Sequence, residues 1–401
     1  MRDFLLLCLS LFIGCSAATV PPATTESRGF DQAALDAIGP QMEARIASGH
    51  MVGGFGLIAQ EGEIVYFEAW GNRDRENNLP MTKDTVVRMF SMTKPITSVG
   101  IMSLVEEGKI ALEGPVSEYV PELGGLEVLV DGKRVPSERD ITILDLLTHT
   151  SGLTYGFFAS DPVDVLYREA ETHKTPNLTA LMVALGKLPL KLQPGERWNY
   201  SYSTDVLGRV IELVSGETLD RFLAECIFEP LGMKETGFYA GEAAVGRLAR
   251  IYTPDEEDRL VLATDEIVAA AGRRVRDFTR PTTFLSGGGG LASTAEDYLR
   301  FAQIFLEGGG GIISQESIEL IMRNHRPETD RPFGLGMGID DAPDGRSKIH
   351  GWGGAAGTRF WVDPDRRMIT MVGQQLYPGG EKRKSELQKA FLEAAYGALA
   401  D

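Results

Sequence analysis

The placement of strand-like and helix-like stretches along the chain is what most limits its fold. Near the start, Gly54-Phe55-Gly56-Leu57-Ile58-Ala59 and Ile64-Val65-Tyr66-Phe67-Glu68-Ala69 flank a Glu61-Gly62 turn signal, which predicts a hairpin. Strand-like runs return only near the end, at Met337 to Ile339, Thr358 to Val362 and Met368 to Gly373. Between them, over roughly residues 91 to 300, the pattern is mostly helical and broken often by Gly and Pro. Asp31 to Ser48 predicts a helix capped by Asp31, with Leu35, Ile38, Met42 and Ile46 on one face, and a last helix is predicted from about Lys382 to Leu399. Strands at both ends around a helical middle predict an α+β protein. Residues 31–90 and 300–401 would form one mixed domain from both chain ends. Residues 91–299 would form a helix-rich domain, with an active site between the two.

The first residues read as targeting rather than fold. Arg2 precedes an apolar run, Phe4 to Gly14, followed by the small residues Cys15, Ser16, Ala17 and Ala18. That run is too short to span a bilayer but suits a signal peptide over residues 1–18, with a Pro/Thr/Ser-rich linker at 19–30. Two cleavages are readable: one after Ala17 or Ala18, the other at Leu11-Phe12-Ile13-Gly14-Cys15, which would make Cys15 a lipid anchor. Either predicts an exported protein, periplasmic, secreted or membrane-anchored. Cys8 and Cys15 fall in this segment, so the mature chain keeps Cys226 alone and no internal disulfide. Cys226 lies in an apolar helical context and reads as a buried small residue rather than a nucleophile. The net charge of -17 repels phosphate backbones and argues against nucleic acid as a partner. The five histidines are scattered without metal-ligand spacing, so neither a metal nor a cofactor is expected.

The chemistry is concentrated at Ser91-Met92-Thr93-Lys94, which follows Val86-Val87-Arg88-Met89-Phe90 and opens a predicted helix ending at Gly108. Spacing of i, i+3 puts the hydroxyl and the amine on one helix face. A serine is a weak nucleophile that needs an adjacent base, and a dehydrated lysine can be that base. The helix N-terminus favours negative charge developing at Ser91. The alternative is a helix-capping serine followed by a surface lysine. The apolar surroundings and the absence of any other S-x-x-K in the chain weigh against it.

Two more segments complete a set. They are Pro194-Gly195-Glu196-Arg197-Trp198-Asn199-Tyr200-Ser201-Tyr202-Ser203 and His350-Gly351-Trp352-Gly353-Gly354-Ala355-Ala356-Gly357. With Ser91 to Lys94 they fall in the order and approximate spacing of the three active-site elements of serine β-lactamases and penicillin-binding DD-peptidases. The chain resembles that superfamily past residue 30, most closely class C β-lactamases and the family VIII carboxylesterases. The segments Leu146-Leu147-Thr148-His149-Thr150-Ser151-Gly152-Leu153 and Ser286 to Thr294 are similar to it as well. The resemblance implies a β-lactamase/transpeptidase-like fold, an antiparallel sheet flanked by helices plus an α-rich domain. It implies Ser91 as acylated nucleophile, Lys94 as activating partner and Tyr200 as proton relay. It also implies an oxyanion hole from the N–H groups of Ser91 and Ala355, and substrate contacts from Tyr202, Trp352, Gly353 and Gly354.

Departures from the family pattern choose among activities. Trp352 stands where β-lactamases carry a lysine that helps hold the substrate carboxylate, and Tyr202 stands where an asparagine contacts the lactam side chain. Both changes favour uncharged small-molecule esters over β-lactams. A serine carboxylesterase working through an acyl-enzyme is therefore expected. The alternatives are a β-lactamase, DD-peptidase, D-aminopeptidase or acyltransferase of the same superfamily, and a silent cell-wall-binding protein on the same fold. No G-x-S-x-G is present, and no Gly-Lys-Ser/Thr follows the glycines at 287–290, which read as a loop near the site. His149 reads as structural, and His350 as a residue lining the cleft.

Overall fold

The computed structural model describes residues 29–158, 160–270, 276–326 and 331–400. The predicted signal peptide, Cys15 and most of the linker lie outside the described residues. Phe30, expected to end the linker, is buried and forms a bridge with Leu399.

The predicted Asp31 cap is present: its carboxylate accepts from the N–H groups of Ala33 and Ala34. The helix it opens is two helices, α1 (Gln32–Asp36) and α2 (Ile38–Ala47), rather than one. Pro40 explains the break, because its missing N–H and its ring both act against the carbonyl four residues back, that of Asp36. The hairpin follows as β1 (Gly53–Gln60) and β2 (Glu63–Asp74), with a short β3 (Leu79–Pro80) at the edge. After the central region come β4 (Gly338–Asp341), β5 (Lys348–Gly353), β6 (Arg359–Asp363) and β7 (Met368–Gln374). These seven form one antiparallel sheet in the order β4-β5-β6-β7-β1-β2-β3, so the two chain ends meet at the β7–β1 pair.

Alternation along the strands sorts side chains between two cores. Ile58, Trp361 and Val372 face α1 and α2 together with Phe391 of the C-terminal helix (Glu381–Gly397). Leu57, Phe360, Val362 and Met371 face the larger core shared with the central helices. A side chain on Gly56 would strike the Phe391 ring, so this glycine admits the aromatic onto the sheet.

The central region supplies α3 (Thr93–Glu106), α4 (Ile143–Leu147), α5 (Pro162–Glu169), α6 (Leu178–Leu185) and α7 (Ser203–Ser215), with α8 (Ala295–Gln303) returning to the sheet. There the Tyr298 ring meets Phe360 of β6 at 5.1 Å. Thr294 caps α8 by accepting from Asp297 N–H, as its sequence signature predicts. Cys226 is half-buried rather than buried, and its thiol is pushed up by partial burial.

Candidate active site

Ser91 sits in a single 3₁₀ turn, Phe90–Met92, at the mouth of α3. The preceding Phe90 holds a left-handed backbone at φ +46°, a conformation that costs a bulky residue about 1–2 kcal/mol. Packing holds it there: the Phe90 ring lies 5.1 Å from that of Tyr377, and Thr358 and Gly354 crowd the Met89 carbonyl before it. The result presents Ser91, half-buried, to a cleft of about 780 Å³. Tyr155, Tyr200, Tyr202, Gly288 and Ala355 line the same cleft.

Three residues expected to meet do meet, but not in the expected pairing. The Tyr200 hydroxyl donates to Ser91 Oγ at 2.6 Å, across 109 residues of chain. Lys94, only 1% exposed, points its ammonium elsewhere: Nζ donates to the Gly288 carbonyl at 2.7 Å and to the Tyr155 hydroxyl at 3.1 Å. It reaches Tyr200 through the ring face, 4.5 Å from the centroid. Tyr200 thus touches the serine, and Lys94 lies under the Tyr200 ring.

A carboxylate anchors the far side. Tyr155 donates to Asp205 at 3.3 Å, Ser286 donates to the same carboxylate, and Gly288 N–H reaches it at 3.3 Å. Burial first, then the Asp205 charge, raises the Tyr155 phenol well above its ordinary value, so it remains a protonated bridge between Lys94 and Asp205. Gly288 is required for this approach, since a Cβ there would lie 2.5 Å from Asp205 Oδ2 and 2.7 Å from the Tyr155 hydroxyl. The sequence singled out neither Tyr155 nor Asp205 for a role. Asp205 lies five residues after Tyr200, in the first turn of α7, and that offset is the only local trace of its function.

Tyr200 is held by rings. Trp198 stacks on it at 5.9 Å, His149 approaches at 5.0 Å, and Trp352 at 5.7 Å. His149 is fully buried and held well below the usual imidazole range by desolvation and by the charges of Lys94 and Arg331. Its place is structural, as expected: it is a neutral wall for Tyr200, with one 3.4 Å contact to Ser201 Oγ. His350 does not line the cleft. It is buried in β5, with burial pushing its imidazole down to about 4.

The remaining expected contacts divide. Tyr202 lines the cleft with its ring against Tyr155 at 4.5 Å, while its hydroxyl accepts from Thr172. Ala355 and Ser91 both border the cleft, as an oxyanion hole requires. Trp352, Gly353 and Gly354 stand behind that border: Trp352 packs on Tyr200 and Phe333, and Gly354 is small because the Met89 carbonyl would lie 2.2 Å from a Cβ there. Among the described residues no cluster of potential ligands could hold a metal ion.

Comparison with known proteins gives the chain its family. The Beta-lactamase family model matches residues 37–394. Protein Rv1367c of Mycobacterium tuberculosis is 34% identical over 81% of this chain and 86% of its own. Esterase EstB of Burkholderia gladioli is 31% identical over 87% and 91%. Among solved structures, EstCE1, described as a hydrolase with promiscuous acyltransferase activity, superimposes with a TM-score of 0.78 at 27% identity, covering 91% of this chain and 98% of that one.

Proposed function

That the chain belongs to the β-lactamase family of serine hydrolases and transpeptidases is the premise from which we propose that it cleaves carboxylic esters of short to medium acyl chain through an acyl-enzyme on Ser91. The observation that carries this reading is the 2.6 Å contact between Tyr200 and Ser91 above a buried lysine. As Ser91 Oγ bonds to the ester carbon, its proton passes to the Tyr200 oxygen while the phenol hands its own proton on to the alcohol oxygen of the ester. The Lys94 charge under the ring stabilises the negative charge that the phenol oxygen gathers. The carbonyl oxygen becomes an oxyanion between the N–H groups of Ser91 and Ala355. Collapse expels the alcohol, which leaves with the proton that Tyr200 handed to it. Water then enters by the same route: its proton passes to the Tyr200 oxygen while the phenol returns a proton to Ser91 Oγ, and the acid is released.

Ester preference over lactam rests on Trp352 standing where the lactamases have a lysine: the indole packs on Tyr200 behind the cleft border, and the cation that would hold a lactam carboxylate is missing from that position. Acyl transfer to an alcohol is a second outcome of the same intermediate, favoured by the likeness to EstCE1. The test is a purified Ser91→Ala variant against short p-nitrophenyl esters, with a fluorophosphonate label read by mass spectrometry on the wild type. Loss of turnover and an adduct on Ser91 are expected. Wild-type turnover in the variant would falsify the proposal.

A further inference from the structure

The two proposed oxyanion donors sit on segments far apart in the chain, and one short stretch reaches both. Ser91 follows the two-residue strand Val87–Arg88, and Ala355 lies in the turn after β5. Leaving β7, the chain runs through Gln375, Leu376 and Tyr377. The Gln375 side chain accepts from the Arg88 N–H at 3.0 Å and donates to the Arg88 carbonyl at 3.2 Å, so one amide holds both backbone groups of that residue. The Leu376 N–H donates to the Ala356 carbonyl at 2.9 Å, next to the second donor. The Tyr377 ring lies 5.1 Å from that of Phe90, the residue before the first donor.

This bridge is well determined. Gln375 is 5% exposed, so water competes little for its bonds. Its Nε2 also donates to the Gln374 carbonyl at 3.0 Å. One N–H and two carbonyls as partners admit the amide oxygen and nitrogen in this order and not the reverse. The Gln375 backbone is fixed too, since its carbonyl accepts from the Tyr252 N–H at 2.9 Å. A direct bond between the two segments, from Thr358 to the Met89 carbonyl, is longer at 3.4 Å. Gln375 stands behind the cleft lining and does not border it.

An oxyanion hole works only when both N–H groups point at one oxygen from hydrogen-bond distance. We propose that Gln375 is a positioning residue for the oxyanion. Through Arg88 on one side, and through Leu376 and Ala356 on the other, it sets the spacing between the N–H groups of Ser91 and Ala355. This rests on the hydrolase reading of Ser91 and on Ala355 as the second donor. Acylation and deacylation both pass through the oxyanion, so an error in that spacing lowers kcat and spares KM.

The experiment uses Gln375→Met, which keeps the length of the side chain and removes its hydrogen bonds. Wild type and variant are compared on p-nitrophenyl butyrate and on its thiono analogue, whose sulfur accepts hydrogen bonds weakly. The thiono ester is run with enzyme in excess, and active sites are counted by fluorophosphonate labelling so that rates refer to folded enzyme. For the oxygen ester kcat falls about tenfold with KM within about twofold of wild type. The thiono ester loses much less, so the oxygen-over-sulfur rate ratio falls with kcat. An unchanged kcat, a loss carried by KM, or an equal loss on both esters would overturn the positioning role while leaving the hydrolase standing. A wild type that cleaves no ester would remove both. If Gln375→Met does not fold, the half-buried Tyr377→Leu loosens the Phe90 end of the same bridge. The ratio then decides alone: a fall supports the bridge, and a ratio equal to wild type overturns it.

Discussion

Among the described residues two lysines are buried, and they are buried differently. Lys94 is 1% exposed and Lys384 is 4% exposed. Lys384 lies in the first turn of the C-terminal helix, which we now label α9, and pairs with the Glu381 carboxylate at 2.7 Å. Its second bond, also 2.7 Å, goes to the Ala355 carbonyl, at the turn where the oxyanion hole is proposed. Burial pulls its ammonium down from the ordinary range, and Glu381 opposes that. Lys94 has only a phenol and a carbonyl as hydrogen-bond acceptors, and its carboxylate, Asp205, stands one residue further away behind Tyr155. The contrast separates a lysine placed to hold backbone from one placed, in the proposed mechanism, to answer charge on a neighbour. A lysine clamped to a carboxylate keeps its charge and holds backbone in place. A lysine among neutral acceptors, with its counter-charge at one remove, can respond to charge moving on a neighbour such as Tyr200.

Replacing both lysines by a side chain of similar length and no charge breaks the comparison most directly. Lys94→Met is expected to lower kcat for a short ester by about a thousandfold, since general acid–base catalysis contributes about 10² to 10⁴. It also leaves Asp205 buried without its cation, so a drop of several degrees in Tm accompanies the loss. A variant with more than a tenth of wild-type kcat would show that Lys94 is structural, like Lys384. Tyr200→Phe comes next. It keeps every ring contact and removes only the oxygen that touches Ser91. A loss of about 10² to 10³ in kcat, with Tm within a few degrees of wild type, is expected. Equal damage to both quantities would mean that Tyr200 serves packing rather than proton transfer.

Asp205→Asn sharpens the comparison by making the remote counter-charge of Lys94 vanish. Asparagine keeps the shape but not the charge; with its oxygen kept on Ser286 and Gly288, its NH2 faces the Tyr155 hydroxyl, which can no longer donate there. The expected outcome is about a tenfold loss in kcat, a displaced pH–rate profile and about 2–3 kcal/mol of stability by urea denaturation. A pH profile superimposable on wild type would reduce Asp205 to a purely structural anchor.

How much of this was legible in the sequence follows from how local each signal is. The period-2 runs at 54–69 and 358–373 predicted strands, and alternation alone then dictated which side chains face which core. Ser91 and Lys94 were legible because they lie within one turn, and Tyr200 because its segment matched a family pattern. The bonds among them were not. Lys94 finds Gly288 across 194 residues and Tyr155 across 61, contacts that no periodicity encodes. The single helix expected over 31–48 failed for a local reason that was readable, the proline at position 40.

The smallest effect belongs to Lys384→Met, and it is the one that tests the other half of the comparison. Glu381 is 83% exposed, so the ion pair is half in water and contributes little by itself. The bond to the Ala355 carbonyl is different, because it fixes the peptide turn whose N–H would face the oxyanion. Loss of a positioning contact, rather than of the donor itself, predicts a two- to fivefold fall in kcat, roughly 0.4–1 kcal/mol of transition-state stabilisation. KM for a short ester should stay near wild type, because the ground-state ester does not yet carry the oxyanion. Lys384→Arg, which keeps the charge, would recover part of the rate if its fork can reach the same carbonyl. A fall confined to KM, with kcat intact, would place Lys384 outside the oxyanion machinery and leave it a helix-docking residue only.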